Sequence, residues 1–395
     1  MNNLETTIKM LYISPAKGTS ANGMLMRELQ MLRMLEGQGF DVTVLCLATR
    51  PSVMNKLLSS QNLNARSFRS SFSGFLMLCY FIWHSVNHVL CNVLKIQTSF
   101  RFFITLGLPA RISDTFPQIF CYYPWAHKFL RLEQYKNKVT LDLGDIMADR
   151  HKRIGRREWI SLSSADEKAV IHNSRSVICI SQQDGSIVSE SYRNNISVIP
   201  FWPSYISGKK HRRSAPMDVC KIGFIGPATS ENTRIANSII ASIRSNVRCW
   251  ERAELIFAGS VSIKVREIIN NDTSMSKASL ENIETLGFVE DLGEFYNRID
   301  VLLNPVGPST GLKIKNVEAL ASGVKLVTTC WGADETLQKY FSDSITVLEW
   351  PLDITDAVLQ CVNISRVIVS KDDIQKAQLK YRENILQNFR EIFPS

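Results

Sequence analysis

Apolar residues along this chain come in two rhythms. Short unbroken runs at 9–14 (KMLYIS), 41–45 (DVTVL), 119–122, 176–181 (SVICIS) and 196–200 read as strands of a sheet covered on both faces. Residues 139–148 (VTLDLGDIMA) read as a further strand running into a turn. Between such runs the apolar positions fall three and four apart, as at Leu25, Leu29 and Leu32, which is helical spacing. The alternation halts at 201–218, where Pro203, Gly208, Pro216 and the basic run 209–213 have the composition of a linker. It then resumes with strands at 221–226 (KIGFIG), 254–259 (ELIFAG), 301–303, 325–329 and 345–348, and helices between them. A last helix is predicted over 373–389, where Ala377, Tyr381, Ile385 and Phe389 stand four apart.

Alternating strands and helices predict an α/β chain of doubly wound, Rossmann-like parallel-sheet domains. The expected division is 1–200, a linker at 201–218, 219–372, and a C-terminal helical segment 373–395. Residues 66–106 break the rhythm. The run 75–83 is apolar throughout, but His84, Ser85, Asn87, His88 and Asn92 interrupt the stretch after it. The ~20 apolar residues of a membrane-spanning helix are therefore missing. With Arg66, Arg69, Lys95 and Arg101 around it, a helix resting on a core or at an interface is expected instead.

The stretch 300–323, DVLLNPVGPSTGLKIKNVEALASG, carries the most chemistry. It reads as a buried strand, a loop rich in Pro, Gly, Ser and Thr, and a helix that stops near Gly323. Lys313 and Lys315 sit at the start of that helix, where the helix dipole disfavours each cation by about 0.3–1 kcal/mol. A bound anion reverses the sign, and free N–H groups at a helix start suit phosphate. Glu318 lies a turn further in. Two cations and a carboxylate so spaced can grip a diphosphate and its ribose; they can equally be a solvated helix start.

The run GLKIKNVEALASGVKLVTT, with LGFVEDLGEFYNRIDVLLNPV before it, resembles the donor-site segment of GT-B fold glycosyltransferases, most closely the GT4-like retaining enzymes. The resemblance is specific over 282–330 and weaker, but in the right order, elsewhere. It implies two Rossmann-like domains facing across a cleft. It also implies transfer of a sugar from a nucleotide-diphosphate sugar, with retention and without metal or other cofactor. In that family two acidic residues bracket the loop and helix start. The second matches Glu318, on the ribose; the first falls on Thr310, so the chain resembles the sub-group that reads G-T-G-L-K-I-K. Backbone amides of Thr310, Gly311 and Leu312, with Lys313 and Lys315, would then receive the diphosphate. Lys313 would also serve in catalysis.

Further site residues are implied by the same resemblance. Gly18 and Gly23 match the loop over the donor phosphates. Gly226, Asn232 and Arg234 lie in and after GPATSENTR, where Pro227 stands in the place of the family's usual Arg and Arg234 approximates its Lys. On the acceptor side Asp145 is the first candidate and Asp142 the second, with an N-cap role equally open for Asp145. His127, in the aromatic cluster YYPWAH, is a candidate base or sugar ligand, or a structural histidine.

Composition narrows the setting. A net charge of +9 favours anionic partners. Nine cysteines without a paired or metal-ligand spacing, and a start lacking a signal pattern, predict reduced thiols in the cytoplasm. The cations of RHKRIGRR, 150–157, suit a solvated face or the anionic inner face of the cell membrane. The resemblance implies as partners a nucleotide sugar and a glycan or lipid-linked acceptor of bacterial surface polysaccharide; the charge adds peripheral membrane contact, and no nucleic acid is expected. Two other classes fit the same residues: a sugar-nucleotide epimerase or hydrolase of this fold, and a non-catalytic binder of anionic ligands.

Overall fold

The computed structural model describes residues 7–15, 23–92, 105–146, 163–191, 195–203, 219–245, 252–271, 282–309 and 311–394. Of the features singled out in the sequence, Gly18, Lys95, Arg101, the basic run 150–157, most of the linker (204–218) and Thr310 lie outside the described residues. The chain forms two compact units. One comprises Met1–Phe201, Ser309–Leu312 and Glu383–Ser395; the other comprises Trp202–Pro308 and Lys313–Arg382.

In the first unit the described strands are β1 Lys9–Ser14, β2 Asp41–Cys46, β3 Arg66–Ser67, β4 Gln118–Tyr122, β5 Val139–Asp142, β6 Ser176–Cys179 and β7 Asn195–Val198. They pair in the order β3-β2-β1-β4-β5-β6-β7, all parallel. The helices are α1 Gly23–Gly37, α2 Pro51–Ser60, α3 Ser71–Asn92, α4 Ala110–Ser113, α5 Pro124–Phe129, α6 Ser164–His172 and α7 Gln182–Ser191. The strands are apolar on both faces because helices cover both, and β5 has all four residues buried. Leu11, Ile13, Leu45, Ile119, Leu141 and Val177 join Trp83, Trp125 and Phe129 in one core. Phe393, at the chain's end, packs edge-on to Phe40 and beside Phe120.

In the second unit the strands are β8 Cys220–Ile225, β9 Ala253–Ala258, β10 Ile283–Thr285, β11 Val301–Asn304, β12 Lys325–Thr329 and β13 Ile345–Leu348. Their order is β10-β9-β8-β11-β12-β13, again all parallel. The helices are α8 Ser230–Ser245, α9 Val261–Asn271, α10 Leu292–Arg298, α11 Ile314–Ala321, α12 Glu335–Phe341, α13 Ile354–Arg366 and α14 Lys371–Ile392. Helix α14 is counted with this unit up to Arg382, where Tyr381 packs against Trp202, Tyr340 and Phe341. In both sheets the order reverses once, beside β1 and beside β8. A reversal leaves a crevice outside the strands' carboxyl ends, which is where ligands bind in doubly wound sheets.

Candidate functional site

At the reversal point of the second sheet, β8 ends on Ile225 and Gly226 follows it, next to the exit of β11. Gly259, just after β9, has φ +79°, and a Cβ on it would lie 2.4 Å from the Gly226 carbonyl oxygen. Only glycine fits there, and the two backbones close up. Val261 N donates to that same carbonyl (3.2 Å), and Ala228 N donates to Ser260 Oγ (2.8 Å), so the loop after β8 is held from β9's side.

Three predicted donor residues converge on this loop. A Cβ at Gly226 would stand 2.7 Å from Asn232 Nδ2 and 3.4 Å from Lys315 Nζ. Asn232 donates to the Pro227 carbonyl (2.9 Å) and Lys315 Nζ to the Ile225 carbonyl (2.8 Å). The Lys315 ammonium also lies 5.4 Å from the centroid of the Phe224 ring. Burial pushes the Lys315 amine down to about 8, against opposing pulls from Glu318 and Glu231; Lys313 lowers it further. A half-buried lysine held below its ordinary range is a cation that gains from an anion's arrival.

Helix α11 begins with Lys313 at its N-cap, in extended conformation and without a side-chain capping bond. A lysine has no acceptor to offer there. Helices α10, α12 and α13 instead start on Asp291, Asp334 and Asp353, each accepting a first-turn N–H. Glu318, one turn along, is 6% exposed and accepts a hydrogen bond of 2.9 Å from Tyr296 Oη. Tyr296 is itself fully buried on α10, and its oxygen lies 3.2 Å from the Lys315 carbonyl. Asn316 fixes the other side of α11. It accepts from Asn304 Nδ2 (2.6 Å) and donates to the Gly332 carbonyl (2.8 Å), while Thr328 Oγ1 donates to the Asn304 carbonyl (2.7 Å). The helix start is thereby pinned to β11 and to the loop after β12. Tyr296, Asn304 and Asn316 carry no signal in the sequence that marks them as part of a site. Arg234, by contrast, is exposed on α8.

In the first unit Asp142 and Arg27 form a fully buried ion pair, Nε to Oδ2, at 3.1 Å. Arg27 also donates to the Pro200 carbonyl (3.1 Å), and Asp142 Oδ1 accepts from Gly144 N (3.1 Å). Burial raises the Asp142 carboxyl and Arg27 pulls it back. So engaged, Asp142 is not the second acceptor-side candidate that the sequence suggests. It shapes the turn in which Asp145 sits half-buried. Gly311, with φ +76°, is counted in this same unit, and a Cβ on it would come 3.3 Å from Asp145 Oδ1. Gly23 opens α1, and Leu312 is buried.

His127 is corrected. The sequence offers it as a candidate base or sugar ligand, but it is 1% exposed on α5, and burial pushes its imidazole down to about 4. A base must reach a substrate hydroxyl, and a neutral ring walled into the core reaches none. Among the described residues no group of three His, Cys, Asp or Glu is placed to hold a metal ion.

Residues 220–363 match the family of glycosyl transferases group 1. No curated protein sequence matches the chain. Among solved structures, sucrose-phosphate synthase from Thermosynechococcus elongatus superposes with a TM-score of 0.63 at 14% identity, covering 98% of each chain. A glycosyltransferase from Rickettsia africae gives 0.59 at 14% identity over 97% of this chain and 94% of its own. Anabaena HepE in complex with UDP and glucose gives 0.59 at 12% identity over 98% of each. These likenesses establish the GT-B fold anticipated from the sequence.

Proposed function

From a glycosyl transferases group 1 domain at residues 220–363, within a GT-B fold, we propose that the chain is a glycosyltransferase using a nucleotide-diphosphate sugar. The observation that carries this reading is the gathering of Gly226, Asn232 and Lys315 at the reversal point of the second sheet, beside a Glu318 held by Tyr296.

The chemical demand is to stabilise a departing diphosphate. Lys313 and Lys315 neutralise its charge and the amides of Gly311 and Leu312 donate to its oxygens; such preorganised donors act where charge develops. Glu318 accepts from the ribose hydroxyls. Asn232, held against Gly226, completes the polar rim of the loop that faces the phosphates. Transfer proceeds with retention and without metal, the leaving phosphate oxygen taking the acceptor's proton. Asp145 orients the acceptor hydroxyl. The sugar is a hexose, and the acceptor is a glycan or a lipid-linked glycan of bacterial surface polysaccharide, lipopolysaccharide or capsule, met at the cytoplasmic face of the membrane. HepE, solved with UDP and glucose, makes a uridine nucleotide the first donor to try.

The test is a panel of nucleotide sugars scored by thermal stabilisation. A ligand at a hundred times its dissociation constant adds about 2.7 kcal/mol. One nucleotide sugar is expected to raise the melting temperature in the wild type and not in Lys315→Ala. No stabilisation by any member would remove the reading.

A further inference from the structure

Helix α3 faces water with the wrong residues. Its 22 residues, SFSGFLMLCYFIWHSVNHVLCN, include no Asp, Glu, Lys or Arg. One face is accounted for: Leu76, Tyr80 and Trp83 are buried, and Tyr80 stacks on Trp125 at 5.5 Å. The opposite side is apolar as well. Phe81 is 64% exposed, Leu78 56% and Phe75 53%, with Ile82, Val86 and Val89 close behind. At ~100° per residue, Phe75, Leu78, Ile82, Val86 and Val89 share an arc of about 80°. A surface helix ordinarily carries its charges there. An apolar ridge of this length marks an interaction surface.

The surrounding charge indicates what covers it. From Val42 to Ser113 the chain holds seven cations (Arg50, Lys56, Arg66, Arg69, Lys95, Arg101 and Arg111) and no Asp or Glu. Arg66 and Arg69, both exposed, lie just ahead of α3. A second copy would bring the same exposed Arg66 and Arg69 to the contact, and like charges oppose that pairing. An apolar ridge with exposed cations just ahead of it in the chain fits a surface that is negative outside and apolar beneath. Among the described residues no helix is long and apolar enough to cross a membrane.

We propose that α3 is an in-plane membrane anchor. Phe75, Leu78, Phe81, Ile82, Val86 and Val89 enter the acyl boundary of an anionic bilayer, while Arg66 and Arg69 meet its phosphates. Such a helix lies in the interface with its apolar face sunk by about 5–10 Å. The inference stands apart from the donor site, since vesicle binding needs no turnover.

The experiment is co-sedimentation of the full chain with vesicles of phosphatidylcholine, alone or mixed with phosphatidylglycerol. Wild type is expected to pellet with the anionic vesicles, less with the neutral ones, and less at high salt. The double variant Leu78→Glu/Ile82→Glu should lower binding at least about tenfold with an unchanged melting temperature. Should the pair melt early, Phe81→Glu alone serves, at the most exposed position. Arg66→Gln/Arg69→Gln should weaken binding to anionic vesicles only. Wild type left in the supernatant with both compositions, or equal binding by the glutamate variants, overturns the proposal. So does a wild-type dimer that these variants make monomeric without any vesicle binding, which assigns the ridge to a second copy.

Discussion

The hydroxyl of Tyr296 donates a 2.9 Å hydrogen bond to Glu318 Oε2, and both side chains are buried. A carboxylate so anchored keeps one oxygen committed and its plane fixed, which is the condition for receiving ribose hydroxyls at one angle. Tyr296→Phe removes the donor and little else. We expect a stability loss of about 1–3 kcal/mol from the unsatisfied oxygen. Donor affinity should fall by a comparable factor, read by calorimetric titration. Unchanged affinity would show that Glu318 is oriented by other contacts.

The pH dependence arises from Lys315. Its amine is held down to about 8, against an ordinary 10.5, chiefly by burial. Between those values the unfolded chain binds more protons than the folded one, so this residue makes stability without ligand rise with pH across the window. A bound diphosphate favours the ammonium and raises its pKa. Donor affinity is therefore expected to decline as pH climbs through about 8, with proton uptake on binding above it. Titration in buffers of different ionisation enthalpy measures that uptake. Flat affinity from about pH 7 to about pH 9 would place the phosphate away from Lys315.

Gly259→Ala probes the glycine contact. The backbone there is left-handed at φ +79°, and the new methyl would press on the Gly226 carbonyl at 2.4 Å. A cost of at least about 1–3 kcal/mol is expected, measured by urea denaturation. A neutral substitution would mean that the loops after β8 and β9 are free to separate.

Asp142→Ala strands the Arg27 guanidinium in the core of the first unit. Breaking a buried pair from one side costs about 3–5 kcal/mol. The double change Arg27→Met/Asp142→Leu should recover most of it. Failure to recover would identify the bonds of Arg27 to the Pro200 carbonyl and of Asp142 to Gly144 N as what matters.

The strands are legible in the sequence because parallel sheets covered on both faces need unbroken apolar runs. Residues 9–14 and 325–329 match their strands to the residue. The placing of Lys315 and Glu318 near one another is legible because one helix turn holds both. Tyr296 is not: within LGEFYNR it looks like ordinary helix filling, and only folding brings it to a residue 22 positions on. Arg27 and Asp142, 115 positions apart, leave no local trace. His127 misleads because its burial comes from α6 packing on α5, a tertiary fact. Helix α3 is expected from sequence at a core or an interface. With no charged residue on any side, it lacks the contrast that shows which face turns outward.

The most direct measurement is a crystal structure of the chain with a uridine diphosphate sugar. We expect the pyrophosphate within hydrogen-bond reach of Lys313 and Lys315, beside Gly226, and the ribose hydroxyls on Glu318. A pyrophosphate bound elsewhere, with both ammonium groups turned to solvent, would contradict the account.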